Sequence, residues 1–260
     1  MEKFVAYWGG YFNSDMTLDK TPDYVDTVIL AFGGPDKNKL NVEYLLSKYT
    51  EDQVVSWIKN CQSRGIKVLL SVIDNPENHW NHIDIDAFCK DTCSKMIDSW
   101  GLDGIDIDAE SAMPDSVYVD CFVAVVISMR KYLSNKKILT YTCYTGSSGP
   151  DGQILKKTRQ NINWINLMAY FDSYSEMTDL FNDYAKVMPP HQITIGVKAG
   201  DIKVDPSSTS IEEVAKLCCW NPEKTEKYGM MLWTLNRDIK AFTGQEDGLW
   251  TKTIHQHLAD

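Results

Sequence analysis

Short runs of apolar, mostly β-branched residues alternate with longer amphipathic stretches along the chain. Eight runs have the length and composition of strands buried on both faces, at Phe4–Trp8, Thr27–Phe32, Lys67–Val72, Gly104–Ala109, Ile138–Tyr144, Trp164–Tyr170, Gln192–Lys198 and Met230–Leu235. The stretches between them predict helices, among them Asp52–Arg64, Ile85–Trp100, Val117–Leu133, Ser175–Val187 and Ser210–Trp220. Thr50 precedes the first of these helices and Thr209 or Ser210 the last, where N-caps are expected.

This alternation predicts an α/β protein with a parallel sheet, and eight strand–helix units in 260 residues fit a (β/α)8 TIM barrel. The alternative is an open doubly wound sheet, but no Gly-rich phosphate turn follows the first strand. Only about 30 residues lie between Lys198 and Met230. They leave no room for a small α+β insertion between strands seven and eight. We expect residues 1–260 to form a single catalytic domain.

Charge and hydropathy exclude several classes of partner. The chain has 26 Lys and Arg against 36 Asp and Glu, a net charge of −10, whereas nucleic acids and anionic membranes attract basic surfaces. No run approaches the ~20 apolar residues of a membrane span. We therefore expect no nucleic-acid and no membrane partner, and a monomer. No apolar signal segment precedes the first strand, so the location is extracellular if a signal peptide was removed and cytoplasmic otherwise.

The seven cysteines give little indication of chemistry. Their odd number and the absence of a CxxC pair argue against a disulfide framework and against a structural zinc site. We expect them to be small apolar core residues.

The residues that follow the predicted strands are aromatic and acidic. A barrel enzyme builds its site at the carboxyl ends of its strands, and here those ends carry Tyr7, Trp8, Tyr11, Phe12, Phe32, Ser71, Asp74, Tyr141, Tyr144, Met168, Tyr170, Asp172 and Trp233. Aromatic faces with hydrogen-bonding carboxylates suit an uncharged, ring-shaped substrate such as a sugar.

Three acids alternate with apolar residues in the fourth predicted strand. Because side chains alternate between the faces of a strand, Asp106, Asp108 and Glu110 point into the barrel, while Ile105 and Ile107 point to the helices. Successive acids are then about 6.5–7 Å apart. Buried like charges are costly, so stability does not account for them.

A metal site and acid–base catalysis are the two chemical interpretations of these acids. Asp106 and Glu110 lie roughly 13 Å apart along the strand, so one ion could bind one or two of the acids at most. Acids that are close together raise one another's pKa. Glu110, the outermost acid, is then the candidate proton donor. A proton donor beside aromatic platforms indicates glycoside hydrolysis.

Residues 103–110 read Asp-Gly-Ile-Asp-Ile-Asp-Ala-Glu and resemble the DGxDxDxE signature of glycoside hydrolase family 18, the chitinases and their relatives. Further segments resemble the family in the same order along the chain: Ala6–Gly9 the first strand of plant-type chitinases, Leu30–Phe32 the second strand, Met168–Tyr170 the sixth and Met231–Trp233 the eighth.

The resemblance implies a retaining, endo-acting chitinase that acts on chitin or N-acetylglucosamine oligosaccharides by substrate assistance. Glu110 would protonate the glycosidic oxygen and later activate water, and Asp108 would orient the substrate's N-acetyl group. Asp106 would hold or share a proton with Asp108, and Tyr170 would hydrogen-bond the N-acetyl carbonyl. The expected substrate-binding residues are Trp233, Tyr7, Phe32, Met168 and Asp103. No cofactor and no metal is implied.

Two departures from the family pattern keep other functions open. The third strand ends Ser71-Val72-Ile73-Asp74-Asn75, which is closer to endo-β-N-acetylglucosaminidases that cleave N-glycan cores than to the SxGG of chitinases. Phe171 stands where Asp or Asn usually follows the tyrosine, a change that would lower activity or shift its pH optimum. The alternatives to a chitinase are therefore such an endoglycosidase and a non-catalytic chitin- or glycan-binding lectin.

Overall fold

Eight parallel strands close into a barrel in the computed structural model, which describes residues 1–75, 79–223 and 225–258. The barrel strands are β1 (Lys3–Gly9), β2 (Thr27–Asp36), β4 (Lys67–Ile73), β5 (Gly104–Asp108), β6 (Ile138–Cys143), β7 (Trp164–Leu167), β8 (Ile193–Lys198) and β9 (Gly229–Trp233). Each pairs with the next around the ring, and β1 closes it by pairing with both β2 and β9. The prediction of a TIM barrel is confirmed. A short strand β3 (Lys39–Asn41) forms an antiparallel hairpin with β2.

The helices lie between the strands, with one irregular connection. They are α1 (Glu51–Ser63), α2 (Ile85–Cys93), α3 (Asp115–Tyr132), α4 (Pro150–Thr158), α5 (Tyr174–Tyr184), α6 (Ile211–Cys219), α7 (Lys240–Thr243) and α8 (Leu249–Leu258). Thr50 and Ser210 cap α1 and α6 as predicted. The connection from β1 to β2 has a single 3-10 turn, Leu18–Lys20, in place of an α-helix. Between β8 and β9, the described residues 199–223 and 225–228 contain α6 and no strand, as the spacing predicts.

The core has two apolar layers, one between the barrel and the helices and one inside the barrel. Successive side chains along β5 point alternately to the outside and the inside of the barrel. Ile105 and Ile107 face the helices and belong to the large outer layer, as predicted. The smaller inner layer fills the barrel with side chains that include Val5, Ile29 and Leu69. Six of the seven cysteines are buried, and Cys219 is exposed.

Two further features bear on the predictions. None of the helices in the described ranges combines the length and apolar character that a membrane crossing requires. The last two residues of the predicted domain, 259–260, lie outside the described residues.

Candidate active site

The three acids of β5 and its following loop form a column that rises through the barrel to its mouth. Asp106 is fully buried, Asp108 is 3% exposed, and Glu110 is half-buried just beyond the carboxyl end of the strand. The strand register sets their neighbours: Asp106 pairs with Ser71 of β4 and Thr140 of β6, and Asp108 pairs with Ile73 and Thr142. The lower acid therefore lies among hydroxyl groups, and the upper two lie at the opening.

Four hydroxyl groups surround the carboxyl of Asp106. Thr140 Oγ1 donates to its Oδ1 at 2.5 Å, and Ser71 Oγ donates to its Oδ2 at 2.7 Å. The hydroxyl groups of Tyr7 and Thr142 donate at 2.8 Å and 3.1 Å. Burial raises the pKa of Asp106, and the four hydrogen bonds lower it in part. Each donor is satisfied by the carboxyl, so Asp106 is held in one orientation.

This hydroxyl network extends across the barrel to β7 and β8. Asn166 Nδ2 donates to Thr142 Oγ1 at 3.1 Å, and Thr194 Oγ1 donates to Asn166 Oδ1 at 2.9 Å. Among the described residues, no hydrogen bond joins the carboxyls of Asp106 and Asp108. No hydrogen bond among the described residues therefore supports the expectation that Asp106 and Asp108 share a proton.

Asp108 and Glu110 form the chemically unsatisfied part of the column. Asp108 Oδ1 is buried and has no hydrogen-bond partner among the described residues. Burial, then the charges of Glu110 and Asp106, raise the pKa of Asp108 well above its usual range. Burial also raises the pKa of Glu110. The pair can therefore hold a proton at a pH where free carboxyls would have lost theirs.

A pocket of about 190 Å3 opens above Asp108 and beside Glu110. Sites that enclose a whole small molecule have about 300–1,000 Å3, so this pocket is too small to enclose an oligosaccharide. Seven of the predicted site residues line it: Tyr7, Phe32, Asp108, Glu110, Met168, Tyr170 and Trp233. Five lining residues were not predicted for the site: Ile73, Thr142, Phe171, Lys198 and Met231.

Aromatic rings form one wall of the pocket. Trp233 lies in near-parallel contact with Phe32, with centroids 5.7 Å apart and 23° between the planes, and edge-on to Tyr7 at 5.4 Å. Tyr170 is 8% exposed at the end of the segment that leaves β7. Burial, then the charges of Asp108 and Glu110, raise its pKa well above the usual range. Tyr170 is therefore a neutral hydroxyl, able to donate a hydrogen bond.

Asp103 lies at the opposite end of the barrel and does not line the pocket, so the structure does not bring this predicted substrate-binding residue to the site. It precedes β5, about 17 Å from Asp108 by the strand rise. Its carboxyl accepts from the backbone N–H of Val68 at 3.0 Å and from Gln62 Nε2 at 3.0 Å, and it pairs with Lys67. Asp103 therefore joins β4, β5 and α1 below the core.

The unusual end of β4 ties the loop that carries Glu110 to the barrel. Asp74 is buried, accepts from Trp80 N at 2.9 Å and Ser111 Oγ at 2.5 Å, and contacts His79 Nδ1 at 2.5 Å. Ser111 is the residue after Glu110, so Asp74 fixes the chain next to the candidate acid. The position of Asp74 after a predicted strand marks it as a candidate site residue. The sequence does not show that it contacts Ser111.

Lys198 and Phe171 are the two unpredicted residues with the most chemical consequence. Lys198 ends β8, and its Nζ is 2.8 Å from Asp205 and 2.6 Å from Ser207 Oγ, so a neighbouring loop neutralises its charge. Phe171 is 57% exposed at the rim, and Asp172 is exposed and does not line the pocket. The position after Tyr170 thus presents a ring, not a carboxylate, to the site. Among the described residues, no group of three or more His, Cys, Asp and Glu is placed to hold a metal ion.

Comparison with known proteins gives the family. The family described as the TIM-barrel domain of endo-β-N-acetylglucosaminidase EndoS matches residues 11–232. A curated relative, endo-β-N-acetylglucosaminidase F2 of Elizabethkingia meningoseptica, is 21% identical over 82% of this chain and 69% of its own length. The chain belongs to the EndoS barrel family, and with it to glycoside hydrolase family 18.

Solved structures show the same fold. A family 18 chitinase from Pseudoalteromonas aurantia superposes with a TM-score of 0.81 at 19% identity, over 99% of this chain and 100% of that one. Human YKL-39, described as a pseudo-chitinase with retained chitooligosaccharide binding, gives 0.76 at 12% identity over the full length of both chains. The barrel alone therefore accommodates both catalysis and binding, and the site must distinguish them.

Proposed function

We propose that this chain is one catalytic domain that hydrolyses the β-1,4 bond between two N-acetylglucosamine units, with retention of configuration and by substrate assistance. The observation that carries the proposal is the buried Oδ1 of Asp108, which has no hydrogen-bond partner among the described residues and lies in the same pocket as Glu110 and Tyr170. A 2-acetamido group has one N–H donor and one carbonyl acceptor. In the proposed complex, Asp108 accepts a hydrogen bond from the N–H group, and Tyr170 donates one to the carbonyl oxygen.

The placement of the acids favours a nucleophile from the substrate. Conventional glycosidases flank the scissile bond with two carboxyl groups on opposite sides. Here Asp108 ends β5 and Glu110 follows it two residues later, and both line the same pocket. Neither can attack the face of the sugar opposite the other, so the acetamido carbonyl oxygen, held by Tyr170, is the group in position to attack the anomeric carbon.

The raised pKa values of Asp108 and Glu110 indicate which residue carries the catalytic proton. In the free site, Asp108 and Glu110 together hold a proton because burial disfavours two charges. When the acetamido N–H donates to Asp108, the charged form of that carboxyl gains a partner, and the proton remains on Glu110. Glu110 then donates it to the leaving oxygen and later takes a proton from the attacking water. Turnover accordingly falls as pH rises through the raised pKa of Glu110.

Chitin-type oligosaccharides are the first candidate substrate, since the described residues between β8 and β9 form α6 and no strand that would deepen the site around a long chain. The second candidate is the chitobiose core of N-glycans. It is favoured by the matched family and by the curated relative, both named as endo-β-N-acetylglucosaminidases, and by the β4 end that begins at Ser71. Both substrates contain the same bond.

The test compares wild type with Glu110→Gln on chitotetraose and on a high-mannose N-glycopeptide, with products measured by mass. Removal of the proton donor should lower turnover by about 10²–10⁴ while oligosaccharide binding persists. Asp172→Asn, an exposed rim acid, is the matched control and should retain wild-type turnover. Wild-type rates in Glu110→Gln would refute the assignment. Binding without cleavage by the wild type would make the chain a lectin.

A further inference from the structure

The exposed aromatic side chains of the described residues all lie at the mouth of the barrel. Three are more than half exposed: Tyr44 at 58%, Tyr144 at 53% and Phe171 at 57%. Tyr44 lies in the connection from β3 to α1, Tyr144 directly follows β6, and Phe171 follows the segment after β7. Large aromatic rings stabilise a protein mainly when they are buried. Their exposure around one pocket indicates faces that a ligand covers.

These rings form two groups on opposite sides of the pocket. Tyr44 stacks on Tyr11 with centroids 4.2 Å apart, in the loops after β1 and β3. Tyr144 and Phe171 contact each other beyond β6 and β7. In the closed ring, β1 and β2 stand across from β6 and β7. A chain-like ligand that passes from one group to the other must cross the pocket.

The position of Glu110 distinguishes the two sides. Under the proposed function, the sugar that carries the reacting acetamido group lies in the pocket against Trp233 at the end of β9. Glu110 follows β5 and is next to the glycosidic oxygen. The leaving group therefore extends from the pocket toward the arc of β5, β6 and β7, where Tyr144 and Phe171 are located.

The geometry of Tyr144 and Phe171 forms a corner. Their centroids are 6.2 Å apart and their planes meet at 88°, so one ring presents its face where the other presents its edge. Phe171 also lines the catalytic pocket and packs at 4.8 Å on Tyr170. A sugar ring can stack on one face while its rim contacts the other, and neither ring brings a charge that would exclude a neutral sugar.

We propose that Phe171 and Tyr144 bind a sugar ring of the leaving group and so set the preference of the site for oligosaccharides that extend past the cleaved bond. This inference rests on the proposed function, because Glu110 defines the leaving-group side. It assigns Phe171 a binding role at a position where the family commonly has Asp or Asn.

The test uses two substrates that differ in their need for a leaving group. Chitotetraose has sugars on both sides of the cleaved bond, whereas chitobiose oxazoline has its acetamido ring already closed and no leaving group. Phe171→Ala and Tyr144→Ala should each lower kcat/KM on chitotetraose about tenfold, the loss of one stacking face. Hydrolysis of the oxazoline by Tyr144→Ala, which lies outside the pocket lining, should stay within about twofold of wild type. Phe171→Ala should lose several-fold less on the oxazoline than on chitotetraose, and Phe171→Trp should restore the chitotetraose rate.

An equal loss on both substrates would overturn the inference and make Phe171 a support for Tyr170, and unchanged rates on both would also overturn it. Affinity of chitotetraose for Glu110→Gln, with and without Phe171→Ala, gives a second readout without turnover. A tenfold weaker affinity supports the corner even in a chain that binds without cleaving, while equal affinities reject it. Failure of the proposed function is recognised separately, as a wild type that hydrolyses neither substrate.

Discussion

Replacing Asp108 by asparagine should stabilise the folded protein at neutral pH, although it removes a residue of the proposed active site. Asp108 Oδ1 is buried without a partner, and Glu110 and Asp106 add like charges around it. A pKa raised in the folded state costs about 1.4 kcal/mol of stability per unit of the shift once the pH exceeds it. The neutral amide cannot carry the buried charge, so the free energy of unfolding at neutral pH should rise by about 1 kcal/mol or more. For a chain of this size, each kcal/mol corresponds to about 2–4 °C in Tm.

The stabilisation of the folded protein by Asp108→Asn should depend on pH. Because the pKa of Asp108 is raised in the folded state, the folded protein binds this proton more tightly than the unfolded chain does. Stability then falls as pH rises above the unfolded pKa of about 3.9. The stabilising effect of Asp108→Asn should be nearly absent at pH 4 or below and should grow toward neutral pH. Thermal unfolding followed by circular dichroism at several pH values measures it.

Asp106→Asn is the matched control on the same strand. Asp106 is as buried as Asp108, but four hydroxyl groups donate to it. An amide group would place donors against these hydroxyls, so this variant should lose about 1–3 kcal/mol of stability. Opposite signs for the two variants are the expected result. A destabilised Asp108→Asn, or a gain independent of pH, would show that Asp108 is satisfied in the folded protein.

Three other substitutions test the remaining assignments. Trp233→Ala should weaken chitotetraose binding to Glu110→Gln about tenfold through loss of a stacking face, and an unchanged affinity by calorimetry would remove Trp233 from the site. Tyr170→Phe should lower kcat by about 10²–10³ at near wild-type Tm, because it deletes one donor to developing charge; a loss below twofold would count against it. Asp103→Asn should lower the free energy of unfolding in urea by about 1 kcal/mol and leave kcat/KM unchanged. A fall in kcat/KM at full stability would return Asp103 to the site.

The periodicity of the sequence was sufficient to predict the barrel and the column of acids along β5. Alternation along β5 placed Asp106, Asp108 and Glu110 on the inner face because a strand has a period of two. The same rule already placed Asp103 at the start of the strand, far from the carboxyl end where barrel sites form. Its assignment to the substrate followed the motif instead of the strand geometry.

Contacts between side chains on different strands could not be predicted from the sequence. The hydroxyl groups around Asp106 come from β1, β4 and β6, and only the strand register brings them together. Helix α4 does not stand out in the sequence because it begins at Pro150, after Gly149 and before Gly152, a composition typical of turns. Proline at the first helical position and the buried Asp151, which accepts from the N–H groups of Tyr144 and Thr145, account for the helix there.

The first product of chitotetraose hydrolysis tests the central claim, that Glu110 drives retaining hydrolysis assisted by the substrate's acetamido group. Proton NMR within the first minutes, before the anomers equilibrate, should show the β-anomer for the wild type and no product for Glu110→Gln. Chitotetraose lacking its N-acetyl groups should not be cleaved. An initial α-anomer, or cleavage of the deacetylated oligosaccharide at a comparable rate, would contradict the account.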